Sequence, residues 1–240
     1  MKKLFLLAAL LAFGILIWLF KPNVWAAISP LVQKFKTQKT IAERVQQYGS
    51  AARARLSPDF QKKELAYPPR QLVFAAFKQE KVLEIYAAEA GKKFRFVRSY
   101  PILRLSGELG PKLREGDRQV PEGIYAIESL NPNSRLHLSL RVGYPNRFDR
   151  EQGRSEGRTN LGGDIMIHGS SVSVGCLAMG DEAAEDLFVL AADTGLTNIQ
   201  AILSPVDFRA GKTVPDAGQA PPWRGSLYAA IKTSLSELKK

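Results

Sequence analysis

Short runs of β-favouring residues fill the chain between Gln71 and Val142, and each run ends in polar or glycine-containing sequence. The runs occupy residues 72–77, 82–86, 94–97, 124–127 and 136–142. The first three runs, separated by polar turns, predict an antiparallel meander, and the last two predict further strands. In the last run, leucine and valine alternate with polar residues, which predicts a strand with one buried face. The central part of the chain is therefore predicted to be mainly β.

Helical patterns lie on both sides of this β-rich region. Apolar residues recur at loosely helical spacing over residues 30–66, and Tyr67-Pro68-Pro69 ends that pattern. This helix is predicted either to be a stalk or to pack on the domain. Residues 182–193 predict a second helix with acidic residues at its start and Gly195 at its end. With a further strand at 199–203, the predicted class is α+β.

Two polar segments are predicted to be loops, residues 106–123 and the glycine- and arginine-rich residues 143–163. Long loops inside a compact domain are often functional. The C-terminal part, residues 209–240, reads as a Pro/Gly linker followed by an amphipathic helix. Such a helix most often packs on its own domain.

The N-terminal residues carry the pattern of an export signal. Lys2 and Lys3 precede an apolar run over residues 4–20, and small or modest side chains follow at 24–26. Residues 1–26 are therefore predicted to be a signal peptide or an uncleaved signal anchor. The rest of the chain is expected in the periplasm or cell envelope, and anchoring in the inner membrane stays open. Residues 27–67 would then form a helical stalk or linker before a catalytic domain at 68–208.

The charge balance is basic, with 34 Lys and Arg against 23 Asp and Glu. Such a surface favours anionic neighbours, either an acidic membrane surface or a carboxylate-rich polymer. A nucleic-acid partner is not predicted, because the chain is expected to be exported and carries no nucleic-acid-binding motif.

Cys176 is the single cysteine, and His168, one of two histidines, lies eight positions before it in a turn rich in Gly and Ser. A thiol attacks as the thiolate, and a neighbouring imidazole can accept its proton. We therefore predict Cys176 as nucleophile and His168 as its general base. The alternative is a buried structural thiol.

Residues around this pair suggest supporting roles. The backbone amides of Gly175 and Cys176 are candidate oxyanion donors. Ser173 is expected to bond to the turn or to the substrate. Alternation along a strand over 164–168 would place Asp164 on the same face as His168 but ~13 Å away. Asp164 is therefore expected to stabilise a turn or face the substrate, while a backbone carbonyl could orient the imidazole.

A zinc site is the second kind of site considered. Asp164, His168, Cys176 and His137 could nominally supply ligands, but they match no recognised ligand spacing. Neither a metal nor another cofactor is predicted. His137 is expected to be a strand residue on the polar side of the sheet.

Several motifs together resemble a known family. They are Gly162-Gly163-Asp164-Ile165-Met166-Ile167-His168-Gly169, Ser173-Val174-Gly175-Cys176, Leu138-Ser139-Leu140 before Tyr144-Pro145-Asn146, and Gly110-Pro111-Lys112 with Val120-Pro121-Glu122-Gly123. The combination resembles the L,D-transpeptidase catalytic domain (YkuD-type) of bacterial cell-wall enzymes, in its YafK-like branch. The resemblance covers roughly residues 70–205.

This resemblance implies a β-sandwich or barrel catalytic domain with a helix after the catalytic cysteine. It implies that Cys176 attacks peptidoglycan stem peptides with His168 as base, and that Gly169, Asp164 and Tyr144 support the site or its substrate. The expected reaction passes through a Cys thioester and transfers the acyl group to an amine. Two alternatives stay open. One is hydrolysis of that thioester, as an L,D-carboxypeptidase or an amidase that releases wall-linked protein. The other is a non-catalytic peptidoglycan-binding envelope protein.

Two positions depart from the family pattern. Val174 stands where most of the wider family has a second histidine, and Ala178 stands where an arginine is usual. The nucleophile and base positions are intact. The departures therefore affect the expected substrate contacts more than the expected attack.

Overall fold

The computed structural model describes residues 38–214 and 220–239. Its helices are α1 (Ile41–Lys62), α2 (Arg147–Ser155), α3 (Asp181–Thr194) and α4 (Arg224–Ser236). Its strands are β1 (Gln71–Phe77), β2 (Val82–Ala88), β3 (Phe94–Pro101), β4 (Gly123–Ser134), β5 (His137–Val142), β6 (Met166–His168), β7 (Leu177–Ala178), β8 (Ile199–Ser204) and β9 (Leu238–Lys239). The predicted signal or anchor at 1–26 lies outside the described residues. Among residues 38–214 and 220–239, none of the helices combines the length and the apolar composition of a membrane span.

The nine strands form one sheet in the order β7-β6-β5-β4-β8-β1-β2-β3-β9. The predicted antiparallel meander corresponds to β1, β2 and β3, which pair in sequence. Strand β8 enters parallel to β1 and antiparallel to β4. The long β4 joins the two halves of the sheet, because its first residues pair with β8 and its later residues pair with β5. The predicted α+β class, mainly β, is confirmed.

Strand β1 shows why its sequence is continuously apolar rather than alternating. Leu72, Phe74 and Ala76 lie in the core that includes residues of α1 and α3. Val73, Ala75 and Phe77 face the other way, into a second core with residues of α4. A strand covered on both faces requires apolar residues at every position.

Helix α1 packs on the domain through Leu56 and Phe60, which are fully buried. A capping box starts the helix, with Thr40 accepting from the Glu43 amide at 3.2 Å and Glu43 Oε2 accepting from the Thr40 amide at 2.7 Å. Arg53 forms a bidentate pair with Asp193 of α3 at 2.7 and 2.8 Å. Of the two arrangements expected for this helix, a stalk or a packed helix, the described part adopts the packed one.

The segment predicted as one polar loop, residues 143–163, contains helix α2, so that part of the prediction is wrong. A second capping box explains the helix. The Asn146 side chain accepts from the Asp149 amide at 3.0 Å, and Asp149 Oδ2 accepts from the Asn146 amide at 2.9 Å. The low apolar content of the segment concealed this helix from a reading based on hydrophobic periodicity.

The C-terminal helix α4 docks on the second core, as its amphipathic pattern predicted. Leu227, Ile231 and Leu235 are buried there. The Tyr228 hydroxyl donates to Glu122 Oε2 at 2.7 Å, at the end of the 106–122 segment. The helix is therefore tied to the segment that borders the cysteine turn.

Candidate active site

Strands β6 and β7 set the relative positions of the predicted nucleophile and base. The two strands are parallel, with Ile167 opposite Leu177 and His168 opposite Ala178. Cys176 directly precedes β7, and its Sγ accepts from the Met166 amide at 3.4 Å. Cys176 thus lies about two residues back along the sheet from the position opposite His168.

A hydrogen-bonded turn holds the cysteine. Ser173 Oγ donates to the Cys176 carbonyl oxygen at 2.5 Å and accepts from the Cys176 amide at 3.1 Å. Gly175 has a φ of +84°, a backbone conformation that favours glycine. Its amide donates to Ser106 Oγ at 2.6 Å. Of the two roles expected for Ser173, turn or substrate, the structure shows the turn.

The predicted oxyanion donors are not open in this structure. The amides of Gly175 and Cys176 both point at serine hydroxyls, Ser106 and Ser173 respectively. Each amide would have to leave its hydroxyl before it could bind a developing negative charge. Ser106 lies 69 positions before Gly175, so no local sequence pattern connects the two residues.

His168 is held by its own neighbour. Its Nδ1 lies 2.5 Å from the Gly169 carbonyl oxygen, while its Nε2 is buried with no hydrogen-bond partner. A carbonyl oxygen only accepts, so Nδ1 carries the proton and Nε2 keeps its lone pair. The expectation that a backbone carbonyl orients the imidazole therefore holds. Burial lowers the pKa of His168, partly offset by the Gly169 contact.

Burial favours the neutral forms of both the thiol and the imidazole. Burial raises the pKa of the Cys176 thiol, the Met166 amide opposes this, Asp164 raises it further and Lys112 lowers it. The thiol donates to the Asp164 carbonyl oxygen at 3.6 Å, and no hydrogen bond joins Sγ to the imidazole of His168. Cys176 and His168 therefore form a protonated thiol near a neutral imidazole, and not a preformed thiolate–imidazolium pair.

Gly169 fits where no side chain would. A Cβ at this position would lie 2.6 Å from Asp181 Oδ1, 2.9 Å from His137 Cβ and 3.0 Å from the Leu136 carbonyl oxygen. The predicted support role of Gly169 thus has a structural basis, since a larger residue would shift the carbonyl that holds His168.

Asp164 does not lie on the strand that carries His168. Strand β6 starts at Met166, and Asp164 has a φ of +54°, so the predicted alternation is wrong at this position. Its exposed carboxylate pairs with Arg141 Nη1 at 2.5 Å. Its carbonyl oxygen is the group that contacts the thiol. The side chain thus stabilises the turn, as one of the two expectations had it.

Tyr144 is buried and supports the candidate site through hydrogen bonds of its hydroxyl. Its hydroxyl donates to the carbonyl oxygens of Leu161 at 3.1 Å and Lys112 at 3.3 Å. The Lys112 ammonium lies 6.0 Å from the Tyr144 ring and forms an ion pair with Asp117 at 2.5 Å. Tyr144 therefore positions the loop that contains Lys112, whose charge favours the thiolate.

His137 contacts Glu185 and Tyr48 rather than the thiol of Cys176. Its Nε2 lies 3.0 Å from Glu185 Oε1, and its ring packs edge-on against Tyr48 with centroids 5.2 Å apart. Within residues 38–214 and 220–239, no group of three or more His, Cys, Asp or Glu side chains is placed to hold a metal ion.

Comparison with known proteins matches the chain to one family. A family model described as YkuD, L,D-transpeptidase catalytic domain, matches residues 67–203. A curated relative from Escherichia coli K12, named "Putative L,D-transpeptidase YafK", is 40% identical over 114 residues. That alignment covers 47% of this chain and 44% of the relative, so the chain spans less than half the length of this curated relative.

Solved structures with a similar fold include the helical cell shape determining protein Pgp2 from Campylobacter jejuni. It covers 62% of this chain and 55% of its own, at 24% identity and a TM-score of 0.46. Another is L,D-transpeptidase 1 from Mycobacterium tuberculosis, at 16% identity and a TM-score of 0.32, covering 56% of this chain and 62% of its own.

Proposed function

Because the chain belongs to the YkuD family of L,D-transpeptidase catalytic domains, we propose that it cleaves peptidoglycan stem peptides through a thioester on Cys176 and transfers the acyl group to an amine. The observation that carries this proposal is the buried, partnerless Nε2 of His168 one strand away from the thiol. A buried ring nitrogen without a partner costs free energy unless a proton or a substrate group completes its bonding.

In the first step, Sγ attacks the carbonyl carbon of a stem-peptide bond while Nε2 accepts the thiol proton. The thiol first leaves the Asp164 carbonyl oxygen, which it now contacts. The C–N bond of the substrate then breaks, and the imidazolium returns the proton to the leaving amine. The products are the acyl thioester and a free amine, with the imidazole neutral again.

In the second step, the nitrogen of an acceptor amine attacks the thioester carbonyl. Nε2 takes a proton from the attacking nitrogen, the C–S bond breaks, and the proton passes to the sulfur. The cycle begins and ends with a neutral thiol and a neutral imidazole, the forms that burial of the two groups favours. If water replaced the amine, the same steps would give hydrolysis.

The setting proposed for this reaction is the cell envelope. A formal net charge of +11 favours a wall polymer that carries carboxylates. The name of the Escherichia coli relative agrees with this activity class. Wall-linked protein as a substrate, an anionic membrane surface as a neighbour and the export signal at 1–26 belong to the same proposal.

The test is incubation of the full chain with defined tetrapeptide muropeptides and with protein-linked muropeptides, followed by mass analysis of the products. Cross-linked dimers are expected for transfer, whereas shortened or protein-free stems would show hydrolysis. Cys176→Ala should abolish every product and His168→Gln should reduce all of them. Wild-type product levels from Cys176→Ala would refute the thiol mechanism.

A further inference from the structure

Arg104 lies beside the predicted catalytic pair through pairing that the sequence does not reveal. It forms an isolated antiparallel bridge with Ala178 of β7. The Ala178 amide donates to the Arg104 carbonyl oxygen at 2.9 Å, and the Leu103 amide donates to the Ala178 carbonyl oxygen at 2.8 Å. On the other side of Ala178 lies His168. Arg104, Ala178 and His168 thus stand side by side on three adjacent segments.

Sheet geometry places these residues on one face. Directly opposed residues project their side chains to the same side. Cys176 directly precedes β7, and its Sγ accepts from the amide of Met166, on the strand that carries His168. Neighbouring segments lie ~4.8 Å apart, which separates the Cα atoms of Arg104 and His168 by ~10 Å. A long arginine side chain can therefore reach a ligand that is bound over the thiol and the imidazole.

The charge of Arg104 is available to a ligand. Arg104 is exposed, and its guanidinium has no hydrogen bond or ion pair with another side chain in the part of the chain that the structure describes. Arg141, the arginine on the other side of the thiol, is already paired with Asp164 and Glu128. The residue paired with both Arg104 and His168 is Ala178, whose methyl group carries no charge that could compete for a ligand.

We infer that Arg104 binds a free carboxylate of the bound peptide and selects substrates that carry one at that position. This inference rests on the proposed function and specifies its substrate. A guanidinium presents a planar pair of donors that matches a carboxylate, and charged hydrogen bonds are stronger than neutral ones. Ala178 carries no charge, so Arg104 supplies the cation from a neighbouring segment.

The test uses pairs of stem peptides, and the two members of a pair differ only in a free acid or a carboxamide at one position. Each carboxylate of the stem peptide is replaced in a separate pair. Arg104→Ala should raise KM ~10- to 100-fold for one free-acid peptide and leave the matching carboxamide unchanged. Arg104→Lys should recover part of the loss. Arg114→Ala removes the same charge from an exposed position in the neighbouring loop and should leave KM within ~2-fold. Melting temperatures should be unchanged, since the Arg104 side chain has no partner among the described residues.

The same comparison is repeated as a binding measurement with Cys176→Ala, which does not require turnover. If wild-type chain turns over no peptide but Cys176→Ala still binds the free acid more tightly in an Arg104-dependent way, the proposed reaction fails and the inference stands. Equal losses for acid and carboxamide, or an equal effect of Arg114→Ala, would overturn the inference. Absence of peptide binding would overturn it as well.

Discussion

The Tyr228 hydroxyl on α4 donates to Oε2 of Glu122 at 2.7 Å. Glu122 is fully buried, and its other oxygen accepts from Lys78 Nζ at 2.9 Å and from the Gly110 amide at 2.7 Å. Lys78 also donates to the carbonyl oxygen of Val120 at 3.1 Å. This buried network links the C-terminal helix to the segment that bears Ser106.

Removing the hydrogen bond that Tyr228 of α4 contributes to this network should destabilise the domain. Tyr228→Phe leaves one oxygen of a buried carboxylate without its donor, which should lower the free energy of unfolding by about 1–3 kcal/mol. Urea unfolding measures the change. Thr233→Ala, which removes an exposed hydroxyl bond to Ala229 on the same helix, should change it by less than about 0.5 kcal/mol. Similar values for the two variants would show that the buried network contributes nothing specific.

A methyl group added at Gly169 should disturb both stability and the base. Three atoms would lie within 3.0 Å of the new Cβ, one of them a backbone carbonyl oxygen. We expect Gly169→Ala to cost about 1–3 kcal/mol of unfolding free energy. Turnover should also fall, because the Gly169 carbonyl oxygen holds His168 Nδ1.

Gly225→Ala is the matched control for this substitution. Gly225 is in α4, and a Cβ there would meet no atom within 4 Å. Helix propensity should make this change neutral or stabilising by up to about 1 kcal/mol. A Gly169→Ala variant as stable and active as the Gly225→Ala variant would contradict the packing argument.

Local patterns predicted most strands and helices because those elements bury apolar faces. They did not predict helix α2, since its start is fixed by polar capping between Asn146 and Asp149. The residues of the candidate site likewise fall into those that local sequence predicted and those that it did not. Cys176 and His168 were visible as rare residues in one short segment, but Ser106 and Arg104 reach that segment only through long-range pairing.

Asp149 should make stability depend on pH. Burial raises the pKa of this carboxyl to about 6, opposed by the Asn146 amide, against about 3.9 in an unfolded chain. A raised pKa in the folded state gives stability that is present below pH ~4 and lost as pH rises through ~6. From this group alone, the free energy of unfolding should fall by about 2 kcal/mol between pH 4 and 7.

The difference between wild type and Asp149→Asn isolates this contribution. Asparagine does not titrate. The free energy of unfolding of the variant, relative to that of wild type, should therefore increase by about 2–3 kcal/mol as pH rises from 4 to 7. Urea unfolding at four pH values in that range gives the curve. A difference that is flat with pH would mean that Asp149 is not titrating as a buried group.

The resting state of the thiol can be tested through its reactivity. Burial raises the pKa of Cys176 above its ordinary value of about 8.5 and lowers the pKa of His168 below about 6.5. Iodoacetamide, which reacts with the thiolate, should therefore modify Cys176 slowly at pH 7, with the rate still rising beyond pH 8.5. The signal is specific because Cys176 is the single cysteine.

His168→Gln separates reactivity from catalysis. Sγ has no hydrogen bond to the imidazole at rest, so the alkylation curve should shift little, while turnover should fall by ~100-fold or more as the base is lost. In wild type, kcat/KM should decline on acidification only below pH 6.5, where His168 gains a proton and can no longer accept one. An alkylation plateau below pH 7 that disappears in His168→Gln would instead establish a thiolate–imidazolium pair in the free enzyme.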